Sequence, residues 1–395
     1  MAVREAAAVA GVIDTDVLIV GAGPVGMTLA VALQAAQGHD APRRALLLDT
    51  KTRGSFQSDP RALALSHGTR QLLEPLGAWN ERAGTAIHDI HVSQAGGFGR
   101  TRISREEQGV PALGYVMRYR DLAAALDARL PADAALDAAS IVATRHEHEH
   151  VTVTVVRNGS ELTIRTRLLV HAEGTPPNGT DIRFADYRQH AVLAEVRPRP
   201  GHSHRAWERF TPDGPLALLP LGEDYSVVFT VPPDKAETLM AMDDAAFLAA
   251  LQHRFGARLT FVATGPRARY PLALRLRREL CAGREVWIGN TAQTLHPVSG
   301  QGFNLGIRDA RELADAILAD SEGDPGDPAR LASYARGRRL DRAGSVAFTD
   351  GIVRVFSNDL APLRAARGLG LLALDLCPPA RRFVAARMIW GARGF

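Results

Sequence analysis

The apolar positions near the start of the chain form the pattern of a strand, a tight turn and a helix. Val17 to Val20 is an unbroken apolar run, typical of a strand that is buried on both faces. The glycine-rich segment 21–26 follows it, and the Ala- and Leu-rich stretch from about Met27 to Gln37 predicts a helix. A second apolar run, Ala45 to Leu48, ends in Asp49. This order predicts a βαβ unit, in which the two strands are parallel.

The middle of the chain shows the alternation of apolar and polar residues that is typical of strands. Val151 to Val156 and Leu162 to Val170 flank Asn158-Gly159, which predicts a hairpin with a type I′ turn. From His190 to about Leu274 the pattern is again mostly that of strands, with one helix near 243–255. The strands predicted there are Ala191 to Val196, Leu216 to Leu219 and Tyr225 to Val231. We interpret this region as a second lobe.

The last third of the chain returns to the first pattern and then becomes helical. A buried strand is predicted at Val286 to Ile288, followed by a glycine-rich loop and a helix from about Asn304 to Ala319. The first lobe is thus completed by both ends of the chain. From Tyr334 onward the pattern is helical and rich in arginine, with breaks at Pro362 and at Pro378-Pro379.

Composition narrows the classes of function. The chain has 395 residues, of which 46% are hydrophobic and 23% charged, so that it can bury a large core. Its two cysteines, Cys281 and Cys377, lie far apart, which argues against a disulfide framework or a zinc site and favours a reducing compartment. No apolar run approaches the ~18 residues of a membrane span. The charges in residues 1–11 are atypical of a signal peptide, so we expect a loose tail there and a cytoplasmic protein.

The net charge of +4 is compatible with binding to nucleic acid or to an anionic membrane surface. Binding to nucleic acid fits poorly, because neither a DNA-recognition helix nor a surface of mixed aromatic and basic residues accompanies the charge. The C-terminal arginines mix with large apolar residues, which is typical of amphipathic helices that lie in a bilayer interface. The sequence is equally compatible with helices whose apolar face packs in the core and whose arginine face is solvated. These arginines are Arg336, Arg338, Arg339, Arg342, Arg381, Arg382 and Arg387.

The first glycine loop has the spacing of a dinucleotide-binding fingerprint. Gly21 permits the tight turn, Gly23 lets the backbone approach a pyrophosphate, and Gly26 allows close packing of helix on strand. Asp49 is placed to accept hydrogen bonds from ribose hydroxyls. The pattern favours a bound dinucleotide over a merely structural turn, but it does not distinguish NAD from FAD. The predicted cradle consists of Gly21, Ala22, Gly23, Pro24 and Gly26.

Two further segments carry a resemblance to a known family. They are Val286 to Asp309 (VWIGNTAQTLHPVSGQGFNLGIRD) and Asp59 to Ser66 (DPRALALS). Together with the first glycine loop they resemble the class A flavoprotein monooxygenases, whose best-known member is para-hydroxybenzoate hydroxylase. Within that class the chain is most similar to the ubiquinone-biosynthesis hydroxylases, in particular the 2-polyprenyl-6-methoxyphenol hydroxylase group. The resemblance runs from about Asp14 to Trp390 and includes Phe210 to Pro220 and Tyr270 to Leu274.

The resemblance implies an α/β fold with a Rossmann-like FAD-binding domain, similar to that of para-hydroxybenzoate hydroxylase. It places this domain at 14–180 and 276–330, an inserted, mostly antiparallel β-sheet substrate domain at 181–275, and C-terminal helices that are candidates for membrane contact at 331–395. The implied reaction is hydroxylation of a polyprenylated methoxyphenol through a C4a-hydroperoxyflavin. The implied partners are FAD, O2, NAD(P)H as electron donor, the lipid-soluble phenol and other ubiquinone-biosynthesis proteins.

The resemblance assigns the second glycine loop to the redox end of FAD. Asn290, where most of the class has Asp, is placed to hydrogen-bond the ribityl hydroxyls. The bare backbone N–H groups of 300–302, which precede a helix, are suited to stabilise negative charge on reduced flavin. A buried loop with packing glycines is the rival interpretation. The implied FAD contacts from this loop are Gly289, Asn290, Pro297, Gly300, Gln301, Gly302 and Asn304.

Arg61 resembles the arginine that this class places beside the flavin, with an ordinary surface arginine as the alternative. The class also carries an Asp-Gly motif followed by Ser and Arg, whereas this chain has Glu173-Gly174 and lacks the downstream pattern. Both Glu173 and Gly174 are assigned to FAD, and the electron donor stays open. His296 is expected to lie over the flavin face or simply to pack. No catalytic residue, and no general base for the phenol, is assigned.

Two other functions and one metal site are alternatives. A flavoprotein reductase or dehydrogenase on the same scaffold would consume no oxygen, and a non-catalytic scaffold of a membrane-associated complex would need no flavin. His146, His148 and His150 alternate with glutamates and would share one face of a strand. Consecutive positions on one face are too far apart to share an ion easily, so we expect a solvated hairpin edge and no metal.

Overall fold

The computed structural model describes residues 12–35, 44–320, 322–356 and 361–393. The predicted N-terminal tail, and residues 36–37 of the predicted first helix, lie outside the described residues. The strands are β1 Val12–Val20, β2 Ala45–Leu48, β3 Ala62–Ser66, β4 Thr85–Ile87, β5 Asp89–Gln94, β6 Arg100–Ser104, β7 Gly114–Arg118, β8 Ala135–Leu136, β9 Ala139–His146, β10 Val151–Arg157, β11 Ser160–His171, β12 Ile182–Arg199, β13 Arg205–Thr211, β14 Gly214–Leu221, β15 Asp224–Val231, β16 Thr260–Thr264, β17 Ala268–Arg277, β18 Cys281–Ala282, β19 Glu285–Trp287 and β20 Gln293–Thr294. The helices are α1 Pro24–Ala35, α2 His67–Leu73, α3 Arg105–Gln108, α4 Tyr119–Asp127, α5 Pro233–Ala241, α6 Asp244–Phe255, α7 Gln301–Leu318, α8 Pro328–Phe356, α9 Ala361–Leu376 and α10 Pro378–Trp390.

The first sheet contains the predicted βαβ unit. Its central strands run in the order β19-β11-β1-β2 and are parallel, with Val17 of β1 paired to Leu168 on one side and to Ala45 on the other. The α1 and α7 helices contribute buried residues such as Met27 and Ile307 to the core beside these strands. Apolar side chains on both faces of β1 are fully buried, which is why this strand reads as an unbroken apolar run.

The predicted hairpin is present at β10 and β11. Asn158 and Gly159 have φ values of 51° and 78°, as a type I′ turn requires at both central residues. The hairpin extends the first sheet through β9, so β11 belongs to an antiparallel pair near its start and to parallel pairs near its end.

The second sheet has the order β20-β17-β12-β15-β14-β13-β5-β6, with β16 beside β12. Its neighbours are antiparallel except β13 and β5. Strands β5 and β6 come from the predicted first segment and β20 from the third, so the sheet draws on three of the four predicted segments. The domain boundaries themselves stay a prediction.

The two faces of the second sheet have different coverings. On one face Trp207 and the aromatic side chains Phe247 and Phe255 of α6 belong to a common core cluster. Helix α5, which the pattern did not predict, covers the same face and begins at Pro233, a favoured residue type in a first helical turn. The other face of β13 to β15 is turned toward the C-terminal helices and lines a cavity.

The C-terminal helices begin where the prolines predicted breaks. Pro362 is in the first turn of α9, and Pro378 and Pro379 open α10. Helix α8 packs along α7, α9 lies against β6, and α10 contacts α2. In the described part of the chain, no helix is both long and apolar enough to cross a membrane.

Candidate active site

A polar pocket of about 590 Å³ opens at the carboxyl ends of the parallel strands. This edge of a doubly wound sheet is where such folds bind ligands. Eleven of the sixteen predicted FAD contacts line it, from both glycine loops and from the segments between them. They are Gly21, Ala22, Gly23, Pro24, Asp49, Arg61, Glu173, Gly174, Gly289, Asn290 and Gly302.

The first glycine loop has the close contacts that its spacing predicts. Gly21 has φ 106°, and a Cβ there would lie 2.5 Å from the carbonyl of Ala172, the residue that follows β11. A Cβ on Gly26 would lie 2.0 Å from the carbonyl oxygen of Gly21, so this glycine lets α1 approach β1 and does not line the pocket. The nearest atom to a Cβ on Gly23 would be the Tyr119 hydroxyl at 3.3 Å. Gly23 therefore leaves its backbone accessible from the pocket.

Asp49 both lines the pocket and fixes the loop. Its Oδ2 accepts a hydrogen bond from the backbone N–H of Ala22 at 2.7 Å, and its Oδ1 accepts one from that of Lys51 at 2.8 Å. The carboxylate thus connects the end of β2 to the turn after β1. Its predicted contact with a ribose stays a prediction.

Arg61 lines the pocket in a fixed position. Its guanidinium pairs with Asp59, with 2.6 Å between Nη2 and Oδ2, and lies 4.5 Å from the centre of the Tyr119 ring. The hydrogen bond to Asp59 raises the pKa of Arg61 despite its burial. Tyr119 and Lys51 also line the pocket. Sequence reasoning missed both, because neither belongs to a glycine motif.

His171 is a third residue that sequence reasoning missed. Its Nδ1 is 3.3 Å from Glu173 and its Nε2 is 2.9 Å from Glu285, and its ring stacks on Trp287. Burial lowers the pKa of His171, but hydrogen bonds to Glu173 and Glu285 outweigh burial and raise it to about 9. The imidazole is therefore a cation at neutral pH. It contacts the carboxylate of Glu173, a residue that lines the pocket. The adjoining Gly174 has φ 98°.

The second glycine loop is held by a buried group of charges. Asp309 on α7 accepts a hydrogen bond from the backbone N–H of Gly289 at 3.1 Å, and its other oxygen pairs with Arg338 Nε at 2.8 Å. Arg338 is fully buried and also pairs with Glu312 and Asp341. The interpretation of Arg338 as part of a basic helix face, toward lipid or water, was wrong, because three carboxylates surround it inside the protein.

His296 and Gln301 of this loop do not line the polar pocket. His296 is buried, its Nδ1 accepts from the backbone N–H of Val298 at 3.0 Å, and its Nε2 is 3.3 Å from Gln189. Burial lowers the pKa of His296 to about 3, so the ring is neutral and fixes the loop. Gln301 donates from Nε2 to the carbonyl oxygen of Met388 on α10.

The side chain of Asn304 is engaged within the protein. Its amide forms hydrogen bonds on both sides of the loop, with distances of 2.7–2.9 Å, to Ser66 N, Thr69 Oγ1, Ala64 O and Gly300 O. Asn304, Pro297, Gly300 and Gln301 line a different cavity from the polar one. Their predicted FAD contacts stay a prediction.

That second cavity is apolar and has a volume of about 510 Å³. Its walls come from β13 to β15, from β3 and the second glycine loop, and from the helices α8 to α10. Gly300 lines the apolar cavity and Gly302 lines the polar pocket, so the two adjoin at the start of α7. The site therefore combines a polar nucleotide-sized pocket with an apolar chamber beside it.

Two histidines of the β9–β10 hairpin contact glutamate carboxylates. His146 Nε2 is 2.9 Å from Glu285, and His150 Nε2 is 3.0 Å from Glu147. Among the residues that the structure describes, no three His, Cys, Asp or Glu side chains are grouped to hold a metal ion.

A parallel sheet with two glycine loops around one polar pocket is the arrangement of a dinucleotide-binding enzyme. Residues 14–349 match the family described as FAD binding domain. The chain is 36% identical to the ubiquinone hydroxylase UbiL of Rhodospirillum rubrum, over 93% of this chain and 87% of that protein. It is therefore a member of the ubiquinone hydroxylase family of FAD-dependent aromatic-ring monooxygenases.

Two further comparisons extend this result. The 3-demethoxyubiquinol 3-hydroxylase of Escherichia coli is 29% identical, over 91% of this chain and 95% of that protein. The crystal structure of p-nitrophenol 4-monooxygenase PnpA from Pseudomonas putida superposes with a TM-score of 0.78 at 18% identity, over 97% of this chain and 99% of that chain. The second comparison confirms the predicted fold class.

Proposed function

We propose that this protein hydroxylates the aromatic ring of a polyprenylated methoxyphenol in ubiquinone biosynthesis, using FAD, O2 and a reduced nicotinamide. The observation that carries the proposal is the apolar chamber adjoining the nucleotide-sized pocket at Gly300 to Gly302. An apolar chamber suits a ring that carries an isoprenoid tail. The names of the two relatives, both hydroxylases of ubiquinone or its precursors, support the same substrate class.

The residues of the polar pocket fit FAD. The first N–H groups of α1 have no partner within the helix, and Gly23 adds no side chain between them and a pyrophosphate. Asp49 would bind the ribose end, and Arg61, Glu173 and Asn290 would surround the remainder. When bound, FAD supplies the reducing equivalents that activate O2 and deliver one oxygen atom to the ring.

The chain itself positions the ring and excludes water. Side chains such as Phe210, Leu219 and Val228 form one wall of the chamber, and Leu371 of α9 and Met388 of α10 lie on the side of the helices. A water-poor chamber protects a reactive oxygen species from unproductive decay. Pro297 and Gly300 line this chamber and Gly302 lines the polar pocket, so the start of α7 is the place where ring and cofactor would meet.

Gene deletion in the host, followed by mass spectrometry of the quinone pool, tests the substrate class. We expect a prenylated phenol lacking one hydroxyl to accumulate, and the wild-type gene to restore ubiquinone. An unchanged quinone profile would refute the proposal. With purified enzyme, oxygen uptake equal to product formed separates a monooxygenase from a reductase, and stoichiometric FAD separates an enzyme from a scaffold.

We also propose that α9 and α10 contact a membrane, from which the lipid substrate enters. Leu369, Leu372 and Leu376 follow one face of α9 and are 58%, 39% and 73% exposed, and Phe383 of α10 is 58% exposed. Leu363 is partly exposed and also lines the chamber, so the chamber wall reaches the surface at this residue, which supports an opening there. An apolar helix face at the mouth of an apolar chamber suits a bilayer interface.

Vesicle binding tests this surface. Serine at Leu369, Leu372 and Leu376 together should lower cosedimentation with phosphatidylglycerol-containing vesicles at least several-fold, because buried apolar area drives interfacial binding. Leu340→Ser, at a 67% exposed position on α8, is the matched control and should bind as the wild type does. Equal binding of the triple variant and the control would exclude this face.

A further inference from the structure

One residue that lines the apolar chamber, Glu208, carries a carboxyl group. Glu208 lies on β13 between Ala206 and Phe210, and all three line the chamber. Residues two apart on a strand share a face, so the three form one row. The neighbours of Glu208 across the sheet are Val92 on β5 and Ala217 on β14, both of which also line the chamber. Burying a carboxyl group in an apolar wall costs free energy unless a polar group of a ligand forms a hydrogen bond with it in the chamber.

One oxygen of this carboxyl group lacks a partner. Its Oε1 is buried and has no hydrogen-bond partner among the described residues. Desolvation by burial raises the pKa of Glu208 to about 8. Among the described residues, Arg367 on α9 is the other ionisable side chain that lines the chamber. It donates hydrogen bonds to the carbonyl oxygens of Val355 and Phe356.

The remaining charged groups near β13 lie on the opposite face of the sheet. Arg209 donates to the carbonyl oxygen of Arg254 on α6. Arg205 lies over the ring of Trp207, and His91 of β5 contacts the same ring. Glu208 therefore faces the chamber without a basic group from its own sheet.

The geometry points to Glu208 as the residue that receives the phenolic hydroxyl of the substrate and accepts its proton while the ring is oxygenated. This assignment rests on the proposed function, which supplies the phenol, O2 and the reductant. In its ionised form the carboxylate accepts the O–H hydrogen bond and orients the ring, with the tail toward the opening at Leu363. A polar anchor among apolar walls is the usual way in which a pocket fixes orientation.

The proton transfer balances over one turnover. The phenolic O–H bond breaks, the proton moves to the Glu208 carboxylate, and the electron pair of the oxygen activates the ring toward the incoming oxygen atom. When the substituted carbon loses its hydrogen as a proton, aromaticity returns and the oxygen takes its proton back from Glu208. The carboxylate is regenerated. The proton lost from carbon leaves in the water formed from the second oxygen atom.

Steady-state kinetics of the FAD-loaded enzyme with a short-chain 2-prenyl-6-methoxyphenol test the assignment. Wild-type kcat should rise with pH through a midpoint near 8, because only ionised Glu208 accepts the proton. Glu208→Gln keeps the shape and an accepting oxygen, so KM should change little while kcat falls about 100-fold and the pH dependence disappears. Glu208→Leu removes the hydrogen bond as well and should also raise KM.

Thermal melting gives a readout that needs no turnover. A carboxyl group whose pKa is raised in the folded state makes the protein lose stability as pH rises from about 4.5 to about 8. Tm of Glu208→Gln minus Tm of the wild type should therefore increase as pH rises from about 4.5 to about 8, and should stay constant at higher pH. The infrared band of a protonated carboxyl group should also weaken in the variant near neutral pH.

Two controls complete the design. Glu223→Gln removes an 84% exposed carboxylate and should leave kcat and the pH profile unchanged. Thr101→Val removes a buried hydroxyl of the chamber wall and should retain the pH dependence, whatever its effect on KM. A wild type that makes product beside a Glu208→Gln variant with the same kcat and pH profile overturns this inference alone. A wild type that makes no product overturns the proposed function and this inference together.

Discussion

Replacing Arg338 by alanine should destabilise the protein by about 3–5 kcal/mol, the usual cost of removing one partner from a buried ionic group. Arg338 is fully buried, and without it Asp309 and Asp341 would be left in the interior with less compensating charge. Urea denaturation of wild type and variant at neutral pH measures the difference. Because Asp309 also holds the backbone of Gly289, FAD affinity should fall in the same variant.

Arg339→Ala is the matched control for this result. Arg339 is the next residue on α8 and is exposed, so its replacement should change the free energy of unfolding by less than about 0.5 kcal/mol. A loss below about 1 kcal/mol for Arg338→Ala would show that the carboxylates around it find other partners, and would contradict the role assigned to this group.

Gly26→Ala should abolish ordinary FAD binding. The added Cβ would lie 2.0 Å from the carbonyl oxygen of Gly21, a backbone atom that cannot move aside as the end of a flexible side chain can. Helix α1 must shift away from β1, which displaces the N–H groups at its start. We expect FAD affinity to fall by at least about 100-fold, close to 2.7 kcal/mol of binding free energy. Fluorescence titration of the deflavinated protein with FAD measures this loss.

Gly351→Ala is the control, because an added Cβ at this helical glycine has no close neighbour. A Cβ at Gly351 on α8 meets nothing within 4 Å. Alanine favours a helix over glycine by up to about 1 kcal/mol, so this variant should bind FAD normally and be slightly more stable. FAD binding by Gly26→Ala equal to that of Gly351→Ala would show that the first loop does not form the cradle.

The parts of the site that were predictable depend on local geometry. Gly21 and Gly26 could be assigned from spacing, because a strand, a turn and a helix in sequence determine which backbone atoms approach one another. The parallel strands β1 and β2 followed from the same pattern. The resemblance to flavin monooxygenases supplied the class of enzyme, which the family match and the relatives confirm.

The parts that were missed depend on contacts between distant segments. Arg338 looked like a surface residue, because nothing in its neighbourhood shows that Asp309 of another helix meets it. Tyr119 and His171 were overlooked for the same reason. The internal hydrogen bonds of the Asn304 and Gln301 side chains were likewise not predictable, because the direction of a side chain on α7 depends on what packs against that helix. Glu208 has no motif, and its significance appears only once the chamber is known.

The apolar chamber is closed by helices that contribute nothing to the nucleotide pocket. Side chains of α9 and α10 line the chamber, and none of them is among the residues that line the polar pocket. Shorter, longer or rotated terminal helices would alter the room for an isoprenoid tail while the oxidative machinery stayed intact. Exchange of α9 and α10 between enzymes on one scaffold is therefore a direct route to new substrate ranges.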